Sequence, residues 1–172
     1  MAKKKFLSSD KIVSLSAFLI SIGTLFTIVY QTRLIRQQQY ASVLPYLEIW
    51  QSDNDNERSV NLYNNGIGPA IIKDFKIYFK DSVYAQSLGL FYRNEILDST
   101  SRLKYSRSDM SKGMLLPAGS RWTLISATKE DSIKSLKRLL KEYNPDIEIT
   151  YSSIYGETWV MRDNGKPPVK LD

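Results

Sequence analysis

Nineteen consecutive residues without a charge, Ile12 to Tyr30, constrain this chain more than any other feature in it. As a helix they cover roughly 28 Å, close to the hydrocarbon thickness of a bilayer. Charges stop at Lys11 and resume at Arg33. A chain of 172 residues has little room to enclose a helix that is apolar on every side. The stretch therefore reads as a transmembrane helix over 12–30, between a basic tail at 1–11 and a juxtamembrane helical stalk at 31–44. It is longer than the apolar part of a secretory signal peptide. The residues that follow, Gln31-Thr32-Arg33-Leu34, offer no small-residue cleavage site, so the reading is an uncleaved anchor.

The flanks predict an orientation. Lys3, Lys4, Lys5 and Lys11 precede the span, against Arg33 and Arg36 after it, which favours a cytoplasmic N-terminus and a soluble domain outside the cytoplasm. This segment also accounts for most of the net charge. Of the formal +6, residues 1–36 carry +5, and the remaining chain is nearly neutral. A basic footprint for nucleic acid is therefore not expected.

Within the span, Ser14, Ala17, Ser21 and Thr24 recur at helical spacing along one face. Small residues let helices approach closely in lipid, and hydroxyls can bond across such a contact, so this seam is a candidate for self-association. The competing reading is that each hydroxyl bonds its own i−4 carbonyl.

From Pro45 onward the pattern changes to period two. Alternating runs predict strands at Tyr46–Trp50, Ser59–Tyr63, Ala70–Lys80, Gly113–Leu116, Arg121–Ser126, Asp146–Ser153 and Thr158–Arg162. Seven short strands with turn residues between them suit an antiparallel two-layer sandwich over 45–162 better than a parallel sheet. One amphipathic helix interrupts them. Thr128-Lys129-Glu130-Asp131 has the form of a capping box, Ile133, Leu136, Leu139, Leu140 and Tyr143 recur on one side, and Asn144-Pro145 ends the run. A second, less regular helix is predicted within Tyr84–Ile96. Residues 97–112 read as a mobile loop and 163–172 as a flexible tail.

The turns carry a resemblance. Asn64-Asn65-Gly66-Ile67-Gly68-Pro69-Ala70, then an alternating strand, then Leu116-Pro117-Ala118-Gly119-Ser120, resemble the turn grammar of bacterial immunoglobulin-like sandwiches. The cell-adhesion-related domain of bacteria (CARDB) is the nearest named case. The layout is also similar to that of uncharacterised bacterial single-pass proteins with a Pro-Tyr pair soon after the span and a late Ser-Ile-Tyr-Gly-x-x-Trp hairpin, here Ser153 to Trp159. The resemblance implies a mainly β, immunoglobulin-like sandwich with one packed helix, a non-catalytic role and the bacterial inner membrane. It transfers no site residues. Independently of any family, Gly66 and Gly68 serve positive φ or close approach at a strand reversal, and Asn64 and Asn65 tolerate the left-handed region.

The chain has no histidine and no cysteine. Ser-His-Asp and Cys-His machinery, disulfides and the usual zinc sites are excluded, and no cofactor is expected. Gly66-x-Gly68 lacks the third glycine and the following helix of a phosphate loop. Asp53, Asp55 and Glu57 alternate as in a calcium loop, but Arg58 and Asn64 occupy the positions that need glycine and glutamate. Glu148 and Glu157 are carboxylates that could serve hydrolysis only if brought together. Lys134, Lys137, Arg138 and Lys141 form a basic stripe, a candidate contact for anionic headgroups or a small anionic ligand. The order of charge along that helix also suits its dipole. Trp50, Trp122 and Trp159 read as packing residues.

These readings lead to a membrane-anchored β-sandwich that binds or assembles without catalysing a reaction. The expected partners are the lipid bilayer and a protein or a second copy of the chain. The alternative is a ligand-gated oligomeric membrane effector of the anti-phage type, whose β domain would sense a nucleotide signal in the cytoplasm.

Overall fold

The computed structural model describes residues 9–97 and 103–171. The chain divides into two units, Met1–Ala41 and Ser42–Asp172. The described residues of the first form one uninterrupted helix, α1 (Ser9–Ala41), of 33 residues. It is long and apolar enough to span a membrane. None of its described side chains is buried; Phe18, Ile20 and Phe26 are 61%, 69% and 72% exposed.

The second unit consists of antiparallel sheets with helices between strands. Its strands are β1 (Leu47–Asn54), β2 (Glu57–Asn64), β3 (Ala70–Phe79), β4 (Ser82–Tyr84), β5 (Ser106–Arg107), β6 (Leu115–Leu116), β7 (Arg121–Ala127), β8 (Asp146–Ser152), β9 (Thr158–Arg162) and β10 (Val169–Leu171). Two further helices are α2 (Leu88–Phe91), continued by a widened π-type turn over Tyr92–Ile96, and α3 (Glu130–Glu142). One sheet has the order β1-β2-β7-β5. The other has the order β10-β9-β8-β3-β4, with β6 beside the first residues of β3.

Alternation explains the core. Leu47 and Leu62 from the first sheet and Ile72, Ile77 and Ile149 from the second are essentially inaccessible and belong to one apolar cluster. Along β3 the buried positions change parity, from Ala70 and Ile72 to Phe75 and Ile77. The register against β8 shifts between Ile72 and Asp74, so a bulge at Lys73 keeps both pairs facing inward. Helix α3 packs against β2 and β7. It buries Leu136, Leu139 and Leu140, with Ile133 and Tyr143 half-buried beside them. Phe91 is fully buried and meets Phe79, Tyr84 and Tyr92 edge-on at 5.2–5.5 Å. The Tyr92 hydroxyl donates to the Tyr143 carbonyl at 2.7 Å, which ties this aromatic group to the end of α3.

Each of the seven predicted runs contains a strand, but Gly113–Leu116 is reduced to Leu115–Leu116, with Gly113 in a left-handed turn, and other local expectations change. The helical stretch expected over Tyr84–Ile96 begins only after Ser87, because Ser82–Tyr84 pairs with Ile77–Phe79 as β4. Within the stretch read as a mobile loop, residues 98–102 lie outside the described residues, while Ser106–Arg107 pairs with β7 as β5. The segment read as a flexible tail supplies β10, whose Val169–Leu171 pairs with Val160–Thr158 of β9. The capping box does not form. Helix α3 starts one residue later than that motif requires, with Lys129 at the cap and no side-chain cap bond. Glu130 and Asp131 still occupy the first turn, where the helix dipole favours them.

Candidate functional site

The most organised polar arrangement is a junction around Asn64, at the end of β2. Asn64 is fully buried. Its Oδ1 accepts from the backbone N–H of Tyr46 and of Gly66, both at 3.1 Å. Its Nδ2 lies 2.9, 3.0 and 3.2 Å from the carbonyl oxygens of Gly68, Leu116 and Pro117. Its own N–H donates to the Ser120 carbonyl, and its carbonyl accepts from Gly119 N–H. One side chain therefore joins the start of β1, the β2–β3 turn and the β6–β7 turn. The two sequence motifs that carried the family resemblance meet here.

The glycines act through space. A Cβ on Gly66 would lie 2.3 Å from the Leu44 carbonyl oxygen, and one on Gly68 would lie 1.9 Å from that of Val43. Neither has positive φ, and Lys80 is the one described non-glycine residue that does. The expected left-handed role of Asn64 and Asn65 is thus replaced by hydrogen bonding at Asn64 and close approach at the two glycines. The turn Pro117–Ser120 does use left-handed backbone, at Gly119 with φ 67°.

A second arrangement lies at the other end of the β8–β9 hairpin. A cleft of about 390 Å³ is lined by Tyr78, Asp146, Ile147, Glu148, Arg162, Asp163 and Asn164. The buried Glu148 carboxylate is held on both oxygens. Nε of Arg162 donates to Oε2 at 2.8 Å, Nη2 forms an ion pair with the same oxygen at 2.8 Å, and the Tyr78 hydroxyl donates to Oε1 at 3.2 Å. The carboxylate in turn raises the Arg162 guanidinium further above its ordinary value. Burial, and secondly the charge of Asp146, pushes the Asp163 carboxyl up. Glu148 is committed to these partners. Glu157, the other carboxylate singled out, pairs with Lys170 from the opposite end of the hairpin. The register Glu148↔Arg162 and Ser152↔Thr158 separates the two levels by four residues, about 13 Å along a strand, so the pair is not brought together. The cleft residues escaped sequence reasoning because Tyr78, Glu148 and Arg162 converge only through register. The one available signal was a charged residue midway along the apolar run Ile147–Tyr151.

The remaining candidates are accounted for as follows. In the basic stripe, Lys134 pairs with Glu130 at 2.7 Å, Lys137 with Asp53 at 2.6 Å and Arg138 with Glu142 at 3.8 Å. Lys141 makes no ion pair among the described residues. Most of this charge is thus matched within the chain. Asp53 belongs to a tight β1–β2 hairpin, with Asp53 opposite Arg58 and Asn54 opposite Glu57. Lys137 lowers its carboxyl pKa. Among the described residues, no group of three or more acidic side chains is placed to hold a metal ion. Along α1, Ser14, Ser21 and Thr24 donate to the carbonyls of Asp10, Ala17 and Ile20, so their hydroxyls are used inside the helix and Ala17 adds only smallness to the seam. Trp159 is buried and stacks on Tyr151 at 5.9 Å, while Trp50 is 60% exposed on β1 rather than packed.

Comparison with family models, with characterised proteins and with solved structures returns no match.

Proposed function

We propose that this chain is a single-pass membrane protein whose anchor, α1, holds an immunoglobulin-like β-sandwich beside the bilayer as a binding or assembly module, without catalysis. The N-terminus lies in the cytoplasm and the β unit outside it. The observation that carries this reading is α1 itself: a 33-residue helix that exposes apolar side chains all round and has no buried residue. The strand order supports the sandwich. β1-β2-β7-β5 and β9-β8-β3-β4 run in the order of strands A-B-E-D and G-F-C-C′ of immunoglobulin-like domains. A non-catalytic role is supported by the absence of histidine and cysteine from the sequence and by the locked, separated carboxylates Glu148 and Glu157.

The test is fractionation of cells expressing the intact chain. The protein should stay in the membrane pellet through an alkaline carbonate wash and leave it only with detergent. A reporter fused after Asp172 should be active only outside the cytoplasm. Recovery in the supernatant without detergent would remove the anchor. A reporter active only inside would reverse the topology.

A further inference from the structure

The two ends of the β unit differ in chemistry. At the end where β1 begins lie the β2–β3 turn, the β6–β7 turn and the β8–β9 turn. Asn64 links the first two, and Ile71 pairs with Leu115 on one side and Ser152 on the other. Ile67 N–H donates to the Leu44 carbonyl, which adds the entering segment to the same end. This end gathers exposed apolar side chains: Leu44 at 41%, Ile67 at 68%, Leu115 at 51%, Ile154 at 51% and Tyr155 at 48%. Arg121, exposed at the start of β7, makes no ion pair among the described residues. The turns and strand ends at the opposite end carry Asp55, Glu57, Lys80, Asp81, Asp163 and Lys166. Single exposed apolar residues are ordinary on any protein surface, but their collection on separate turns at one end is not.

We infer that this end is a lipid-contacting surface that inserts into the headgroup layer. The inference rests on the proposed membrane span. Helix α1 is roughly 50 Å long, against about 40–45 Å for a bilayer with its headgroups. With Lys11 at the inner boundary, Ala41 clears the outer headgroups by no more than about 10 Å, and by less at the usual tilt. Val43 and Leu44, two and three residues after Ala41 in the sequence, pack on Gly68 and Gly66. Aliphatic tips, one tyrosine and an unmatched arginine are the chemistry that a headgroup–acyl boundary accepts. The stripe on α3 lies elsewhere. α3 follows the end of β7 and precedes the start of β8, and both of those lie at the charged end.

The chain contains no cysteine, so a single introduced thiol is a unique label. Full-length protein carrying Ile67→Cys, Ile154→Cys, Val83→Cys or Phe18→Cys, each labelled with a polarity-sensitive fluorophore, is reconstituted into phosphatidylcholine–phosphatidylglycerol vesicles. Val83 is a matched control, 56% exposed on β4 and opposite Tyr78 near the far end of β3. Labels at 67 and 154 should shift to the blue and be quenched by headgroup spin-labelled lipid, while the label at 83 responds as in lipid-free detergent solution. The label at Phe18 should be shielded from an aqueous quencher. A shielded label at 18 with labels at 67 and 154 no more quenched than at 83 would overturn the inference and leave the anchor standing. An accessible label at 18 would overturn both.

Discussion

Replacing Asn64 by alanine tests whether one buried amide holds three chain segments together. The side chain makes two bonds through Oδ1 and reaches three carbonyl oxygens through Nδ2, all within 3.2 Å, and the amide itself is fully buried. A hydrogen bond contributes about 1 kcal/mol net, and a buried polar group left unmatched costs about 1–3 kcal/mol. Some of the abandoned groups will recover a water in the space left by the amide. The loss should therefore be about 3–5 kcal/mol, a large part of the roughly 5–15 kcal/mol that holds a domain of this size folded. In a thermal scan this corresponds to a fall of roughly 10–20 °C. The assay is denaturant unfolding of the full chain in mild detergent, followed by tryptophan fluorescence. Trp50, Trp122 and Trp159 all lie in the β unit, so the signal reports on that unit alone. Asn65→Ala is the control. That exposed neighbour reaches only Glu48, at 2.7 Å, and its loss should cost less than about 0.5 kcal/mol. If Asn64→Ala unfolds within about 1 kcal/mol of the parent, the junction is not what holds these turns, and the reasoning fails.

Three further outcomes are expected. Arg162→Leu removes the guanidinium partner of the buried Glu148 carboxylate and should lower the unfolding midpoint of the β unit in the same assay, with Tyr78 and Lys76 keeping the loss from being larger. For Asp163, burial raises the folded-state pKa above 3.8. The folded state therefore holds this proton more tightly than the unfolded chain. The contribution is full at pH below the unfolded value and is lost as pH rises through the folded value. Asp163→Asn should flatten that part of the stability–pH curve, and an unchanged slope above pH 3.8 would show that the carboxyl is not desolvated. Ile20→Arg places a charge midway along the apolar stretch at a cost of about 3 kcal/mol to insertion. It should move a substantial fraction of the protein out of the carbonate-washed pellet, whereas Ile20→Leu should not.

What could be read from the residues follows their physics. Strands β3 and β8 were legible because Phe75 and Ile77 alternate with Lys76 and Tyr78, and Ile147 and Ile149 with Glu148. β4, β5 and β10 were not, because two or three residues cannot display a period, and each is specified by its partner strand. The helix at α3 was visible in its leucines, but its start slipped by one residue because Glu130 and Asp131 satisfy the dipole without a side-chain cap. Asn64 was noticed for the wrong property. Its conformational tolerance is visible locally, whereas its amide donor reaches carbonyls 52 and 53 residues away. The apolar end escaped for the same reason. Ile67, Leu115 and Ile154 sit in three turns far apart in sequence and become a surface only when β3 lies between β6 and β8.

The lengths of the outermost strands bear on how crowded copies would behave. The open margins formed by β4, β5, β6 and β10 run only two or three residues each. An intruding polypeptide could gain one or two backbone bonds there before the ladder ran out. β1 is different: it is eight residues long, and every second residue points its amide and carbonyl outward along one flank. Fibrous growth in concentrated preparations would have Leu47–Asn54 as its template, and a proline on that strand's solvent-facing amides is the substitution that would arrest it.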